Sequence, residues 1–165
     1  MPRYDGPVPD HLEFGRETGR KPPFRYSAST RVAFSDTDAQ GIVYYGRYMP
    51  YFDLARTEYH RHLGLLGAQV GGYDFVMRAN TVEYFAPAHF DDLIEVFVRL
   101  RRIGSTSITY EYHAYRATDD TLMVTAQQTL VLVDLQRRSP VPIPPAFRSV
   151  FVAFEQDALE LAAPG

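Results

Sequence analysis

Two aspartates stand two positions apart ahead of a glycine, in the segment of residues 34–48. The residues leading into them alternate in polarity like a strand, and an extended chain would deliver Asp36 and Asp38 to the same side. Gly41 lets the backbone fold back onto a helix start, where unpaired N–H groups can stabilise an oxyanion. The pattern predicts a carboxylate beside an oxyanion site, although aspartate before glycine is also ordinary turn and helix-cap chemistry.

A single long helix must follow this turn. Between about residues 47 and 63 the apolar side chains recur at steps of four, three, four and four, at Tyr48, Phe52, Ala55, Tyr59 and Leu63. Pro50 fits only in the first helical turn, and Gly64 is a natural stop. The spacing therefore predicts one amphipathic helix.

Five strands are predicted around this helix. Residues 27–34 precede the turn, and after a glycine-rich connection four long strand patterns cover residues 74–85, 93–103, 105–116 and 122–135. Short connections favour antiparallel pairing of consecutive strands, which predicts a four-strand meander. The fold class is α+β, with the sheet burying one face on the helix.

The flanking segments carry a different composition. Residues 1–26 are rich in proline and glycine and are predicted to form an irregular arm beside a domain of residues 27–135. Residues 136–165 are predicted as a proline-rich connector and a helical tail. Within them, prolines at alternate positions argue against a strand over residues 139–145.

Composition excludes several function classes. The 165 residues fit one domain, and the absence of cysteine rules out a disulfide, a thiolate metal site and a cysteine nucleophile. A formal net charge of −3 argues against nucleic acid and anionic membranes as partners. Without a signal-like start or a membrane-length apolar run, the chain is predicted to be cytoplasmic. No cofactor or metal is expected, since His60 and His62 point in different directions on the helix.

The run of residues 34–48, the helix after it and the element order together resemble the hotdog-fold acyl-CoA thioesterases of the 4-hydroxybenzoyl-CoA thioesterase and YbgC type. The resemblance covers roughly residues 27–135. It implies a hotdog fold, in which a curved five-stranded antiparallel sheet wraps a long central helix. It also implies a homodimer or homotetramer with the active site between subunits.

The family motif of two aspartates, a glycine, a branched pair and an aromatic pair stands here as residues 36–45. The resemblance implies that Asp38 is the catalytic carboxylate and that the backbone N–H of Tyr45 polarises the thioester carbonyl. Within the same motif, Gly41 and Val43 are candidate substrate contacts, and Asp36 is interpreted as structural. Asp38 could act as nucleophile or as general base; nucleophilic attack is favoured because aspartate is a weak base at neutral pH.

A basic cluster follows in the third long strand of the chain. Arg99, Arg101, Arg102 and Ser105 stand where the resemblance implies contacts to the phosphates of coenzyme A, because guanidinium groups match phosphate geometry. The alternative is a charged strand edge that prevents aggregation. Glu58 on the helix is a second candidate acid, with a surface ion pair as its simpler explanation.

The function expected from these residues is hydrolysis of an aliphatic or aromatic acyl-CoA thioester. Three alternatives stay open: an acyl-carrier-protein thioesterase, a non-catalytic acyl-CoA-binding hotdog domain, and a hotdog dehydratase or hydratase, which would need a histidine near the thioester. The sequence does not identify the acyl group. Candidate pocket residues are Tyr51, Phe52, Phe75 and Met77.

Overall fold

The computed structural model describes residues 14–66 and 70–162. Its longer elements are helix α1 (Tyr48–His62), helix α2 (Pro145–Glu155) and strands β2 (Tyr26–Arg31), β3 (Asp74–Tyr84), β4 (Leu93–Ile103), β5 (Ser107–Arg116) and β6 (Thr121–Asp134). Three short strands are β1 (Gly15–Glu17), β7 (Ser139–Pro140) and β8 (Glu160–Leu161). Short 3-10 helices cover Phe34–Asp36, Tyr45–Arg47 and Gln156–Ala158.

The described strands form one sheet in the order β1-β2-β4-β5-β6-β3, with β7 added beside β6 and β8 beside β4. The five long strands are antiparallel, as predicted, and only β8 runs parallel to its neighbour. The predicted four-strand meander is wrong for β3. That strand pairs with β6 instead of β4, because the chain crosses the width of the sheet between residues 84 and 93.

Helix α1 lies on one face of this sheet. Pro50 falls in its first turn, and Gly64 follows its end with φ of +71°, both as predicted. The helix buries the aromatic stripe that the spacing indicated, with Phe52 and Tyr59 at 0 % exposure. Phe52 stacks on Tyr112 of β5 with ring centroids 4.9 Å apart, so α1 is anchored over the middle of the sheet.

The flanking segments pack on the same core. Residues 14–26, predicted as irregular, contain β1, and Phe24 lies against Phe97 and His113 on the sheet face opposite α1. The remaining residues of the predicted arm, 1–13, lie outside the described residues. At the other end of the chain, the prediction of no strand over residues 139–145 is wrong for β7. Pro140 is tolerated there because it ends a two-residue ladder in which its missing N–H is not required.

Helix α2 joins the same core through Phe147 and Phe151, as expected for a closing helix. No helix in residues 14–66 and 70–162 is long and apolar enough to cross a membrane.

Candidate active site

The acidic turn is built by backbone hydrogen bonds between its own residues. Strand β2 ends at Arg31, earlier than the predicted residue 34, because the carboxylate of Asp36 accepts the N–H of Ala33 at 2.9 Å and closes a 3-10 turn. Thr37 then pairs with Val43 across a small loop. The expectation that Asp36 and Asp38 share one face of an extended strand is therefore wrong, since a helical turn ends between them.

Asp36 is the buried acid of the pair, at 8 % exposure. Its Oδ2 accepts hydrogen bonds from the Tyr51 hydroxyl (2.7 Å) and from Ala33, and its Oδ1 lies 3.1 Å from Nε and 3.0 Å from Nη2 of Arg47. Burial opposes the ionisation of Asp36, but the bonds from Tyr51, Ala33 and Arg47 together lower its pKa. These contacts support a structural role for an Asp36 that is ionised at neutral pH.

Asp38 is the accessible acid. Its Oδ1 accepts one hydrogen bond, from the N–H of Gln40 at 2.8 Å, and its side chain is half-buried. Gly41 takes φ of +75°, which explains the glycine at this point of the loop. Since the second carboxylate oxygen of Asp38 has no hydrogen bond within the described chain, it is available to a ligand.

A cavity of about 410 Å³ opens beside Asp38. It is lined by the acid and by mostly apolar and aromatic groups: Gln40, Ile42, Val43, Tyr45, Tyr48, Tyr84, Phe85, Ala86 and Pro87. The loop of residues 86–88 closes one side of it, because the N–H of Val43 donates to the carbonyl of Ala88 at 2.8 Å. An apolar pocket with one carboxylate at its rim suits a small ligand with a single reactive polar group.

Tyr45 meets Asp38 at this cavity. It is the first residue of the 3-10 helix that leads into α1, so its N–H has no helical acceptor. Within the described part of the chain the Tyr45 N–H donates no hydrogen bond. The carbonyl of the same peptide group, that of Tyr44, accepts the N–H of Arg47 at 2.8 Å. A free amide donor and a free carboxylate oxygen therefore belong to residues that line one pocket.

Of the two other motif residues named as substrate contacts, Val43 lines the cavity. Gly41 does not line it and instead supplies the turn.

The basic cluster lies elsewhere on the chain. Followed across the sheet from the cavity residue Tyr84, the strand pairings lead to Val124, then Ala114, then Val96 of β4. Val96 is therefore the residue of β4 that lies at the same height along the strands as the cavity. Arg102 is six residues further along β4, about 20 Å away at a strand's rise per residue. Within one chain the structure does not bring the cluster to Asp38.

Arg99 is occupied inside the protein, and this corrects its predicted role. Its Nε lies 2.6 Å from Oε2 of Glu111, its Nη1 donates to the carbonyl of Ala158 at 2.8 Å, and the residue is 8 % exposed. We assign it a structural role, because a buried, paired guanidinium cannot also reach a ligand. Arg101 pairs with Glu160 at 3.2 Å at the surface, and Arg102 and Ser105 are exposed.

The remaining candidate residues, Glu58, His60 and His62, each contact a neighbouring side chain away from the cavity. Glu58 forms an ion pair with Arg61 on the surface of α1 and does not line the cavity. His60 lies 2.6 Å from the Tyr110 hydroxyl and His62 lies 2.7 Å from Glu17, so they point apart as predicted. Among the described residues no group of three histidine, cysteine or acidic side chains could hold a metal ion.

The four side chains expected to line an acyl pocket do not line this cavity. Phe52 is in the core, Tyr51 bonds to Asp36, Phe75 packs on Phe147, and Met77 is on the exposed edge strand. The aromatic lining comes instead from Tyr48, Tyr84 and Phe85. A sequence signal for the last two existed: they end a strand immediately before the turn at residues 86–88.

The chain matches the family model of the Thioesterase-like superfamily over residues 32–151. It is 34 % identical over 128 residues to the acyl-CoA thioester hydrolase YbgC of Escherichia coli, covering 76 % of this chain and 92 % of that protein. A hypothetical protein from Aquifex aeolicus has a similar solved structure, with a TM-score of 0.69 and 29 % identity over 76 % of this chain and 98 % of its own. A thioesterase superfamily protein from Jannaschia shares the fold, with a TM-score of 0.73 and 21 % identity over 94 % of this chain and 97 % of that one.

A long helix laid across an antiparallel sheet and the family match over residues 32–151 together identify a hotdog-type thioesterase scaffold. The chain belongs to the Thioesterase-like superfamily. The predicted family and fold class are confirmed, and so, at the level of the family, is the prediction of a thioester hydrolase.

Proposed function

We propose that this protein hydrolyses acyl-CoA thioesters, with Asp38 as the reacting carboxylate and the N–H of Tyr45 as the donor to the carbonyl oxygen. The observation that carries the proposal is that both residues line one cavity while Asp36 is buried and fully bonded. The substrate class is supported by the E. coli relative, which is named an acyl-CoA thioester hydrolase.

The chemistry needs few groups because a thiolate is a good leaving group. In the nucleophilic route a carboxylate oxygen of Asp38 bonds to the acyl carbon, the C–S bond breaks, and water then cleaves the mixed anhydride to regenerate the carboxylate. In the general-base route Asp38 takes a proton from water as the water oxygen attacks, and the thiolate that leaves is then protonated. Both routes place negative charge on the carbonyl oxygen, which an amide N–H stabilises.

The test is Asp38→Asn. Asparagine keeps the bond from Gln40, so folding should change little, while kcat for an acyl-CoA should fall by about 100-fold or more. KM should change less than threefold or so, since the carboxylate contributes to the reaction more than to binding. The matched control is Asp157→Asn, an exposed acid in the 3-10 helix after α2, which should retain the parent's activity.

Two outcomes would contradict the proposal. A folded Asp38→Asn protein with the parent's kcat would remove Asp38 from the chemistry. A parent protein that binds acyl-CoA in calorimetry but releases no thiol would favour the acyl-binding alternative. Parallel assays with acyl-CoA and an acyl-carrier-protein thioester then identify the thiol carrier.

We propose further that the protein acts as a homodimer formed through β3. In the described chain no strand pairs with the outer edge of β3, although this strand has 11 residues and exposes Val76 and Met77. A long edge strand with unpaired backbone groups is a pairing surface. Tyr84 ends the same strand at the cavity, so a second copy added there would border the site.

Binding of the coenzyme A phosphates is assigned to the exposed part of the basic cluster, Arg101, Arg102 and Ser105. We propose that a coenzyme whose thioester lies at Asp38 of one subunit reaches these residues on the other subunit of the dimer. The cytoplasmic location remains a prediction.

A further inference from the structure

Tyr84 is the last residue of β3 and lies between the free sheet edge and the cavity. Its hydroxyl donates a hydrogen bond to the carbonyl of Tyr45 at 3.0 Å. Its ring packs edge-on against buried Tyr48, with centroids 5.8 Å apart, and lines the cavity. The side chain therefore connects the edge strand to the 3-10 turn that begins the central helix.

The hydrogen bond from the Tyr84 hydroxyl acts on the carbonyl of Tyr45, which belongs to the peptide group after the one that carries the Tyr45 N–H. The plane of the peptide between Tyr44 and Tyr45 is held by the bond from the Arg47 N–H to the Tyr44 carbonyl. The next peptide plane carries the Tyr45 carbonyl that Tyr84 binds. Because each peptide group is planar, fixing both planes fixes the two dihedral angles of Tyr45 and with them the direction of its N–H.

The turn needs such support. It spans only Tyr45–Arg47, and the Tyr45 side chain is 63 % exposed, so packing does not immobilise it. Helix starts fray because their first N–H groups lack intrahelical acceptors. The Tyr84 hydroxyl is a donor at neutral pH, as for any tyrosine, and burial and the nearby Tyr45 raise its pKa further.

We propose that Tyr84 is a positioning residue for the thioesterase reaction, whose hydroxyl holds the Tyr45 peptide so that its N–H stays directed at the developing oxyanion. The inference rests on the proposed function and adds a residue to it. Tyr84 acts through Tyr45, so its loss affects the transition state more than the bound substrate.

The test is Tyr84→Phe, which keeps the ring on Tyr48 and removes only the hydroxyl. Removing an oxyanion donor outright costs about 100-fold or more, so loosening one should lower kcat by about 5- to 30-fold. KM should stay within about twofold, and the midpoint of thermal unfolding should not change. Tyr115→Phe, which removes a hydroxyl on the opposite sheet face, is the matched control and should match the parent.

Three results would overturn the inference. The first is an unchanged kcat. The second is a rise in KM at constant kcat, which would make the hydroxyl a substrate contact. The third is a fall in activity that follows a fall in unfolding temperature, which would make its role purely structural.

The Asp38→Asn variant, assayed beside it, separates this inference from the proposed function. If Asp38→Asn is inactive and Tyr84→Phe is fully active, only the role of Tyr84 fails. If both variants turn over like the parent, the assignment of Asp38 as the reacting carboxylate fails as well.

Discussion

Replacing Asp36 should reveal how much of the stability of the acidic turn depends on one buried carboxylate. In Asp36→Ala, the hydroxyl of Tyr51 loses its acceptor in a buried position, which costs about 1–3 kcal/mol. Arg47 is 44 % exposed and regains water, so its ion pair contributes at most about 1 kcal/mol. The expected loss in unfolding free energy is therefore about 1–4 kcal/mol.

Asp36→Asn divides this loss into its parts. Ala33 and Tyr51 both donate to Oδ2, whereas Arg47 is bound through Oδ1. An asparagine whose carbonyl oxygen takes the place of Oδ2 keeps both neutral bonds and loses the ion pair. Its NH2 group then faces the Arg47 guanidinium, which is 44 % exposed and can turn to water. Its cost should be about 1 kcal/mol, and it should retain most of the activity per folded molecule.

The assay is urea unfolding followed by far-UV circular dichroism, because the chain has no tryptophan. Protein concentration must be equal in all samples, since a dimer's stability depends on it. Asp36→Ala combined with Tyr51→Phe should show a coupling of about 1–2 kcal/mol. Because the pKa of Asp36 is lowered on folding, its stabilising effect is lost as the pH falls below the ordinary value of 3.8.

The reasoning would be refuted by an Asp36→Ala protein within about 0.5 kcal/mol of the parent at pH 7. It would also be refuted by an Asp36→Asn protein as unstable as the alanine variant. Either result would mean that the hydrogen bonds of Tyr51 and Ala33 do not hold the turn.

Three further predictions concern other parts of the molecule. Glu155 accepts hydrogen bonds from the Tyr59 hydroxyl and, at 3.1 Å, from the Leu100 N–H, and burial raises its pKa. Because its pKa is higher in the folded protein, the protonated carboxyl stabilises the fold at low pH, and this effect is lost as the pH rises. In urea titrations Glu155→Gln should therefore be more stable than the parent at pH 8 and equal to it near pH 4. Exchanging Arg101 and Arg102 for alanine should raise KM about tenfold for acyl-CoA and leave it unchanged for a thioester lacking the nucleotide. The control Arg137→Ala should change KM for neither substrate. Equal effects of the double variant on both substrates would show that the two arginines do not bind the nucleotide. Sedimentation equilibrium should give about twice the 18.8 kDa chain mass, and an active monomer at assay concentration would exclude the dimer.

Local patterns predicted the elements well. The apolar steps from Tyr48 to Tyr59, together with Pro50 and Gly64, predicted α1 within a residue or two, because a helix is determined by neighbours three and four positions apart. The bounds of β4 were predicted without error, since turn residues stand at both of its ends. The motif likewise pointed to Asp38 and Tyr45, which meet at the cavity.

Pairings between distant segments were not predictable from such patterns. Nothing near β3 indicates that β6 is its partner, and nothing near Asp36 indicates Tyr51. Arg99 is opposite Glu111 only because a bulge between Leu100 and Arg102 shifts the register of β4 against β5, and no local pattern indicates that bulge.

The segment of residues 18–25 has a consequence for assembly beyond a dimer. Phe24 lies on Phe97 and His113, and Lys21 lies 4.1 Å over the ring of Tyr115, so these residues cover the back of β4 and β5 as a built-in cap. Two dimers could pack against each other over that part of the sheet only if residues 18–25 moved away from it. In the described chain the back of β6 and β3 stays uncovered, and there Thr81, Glu83, Thr125 and Gln127 offer a polar surface for a contact between dimers.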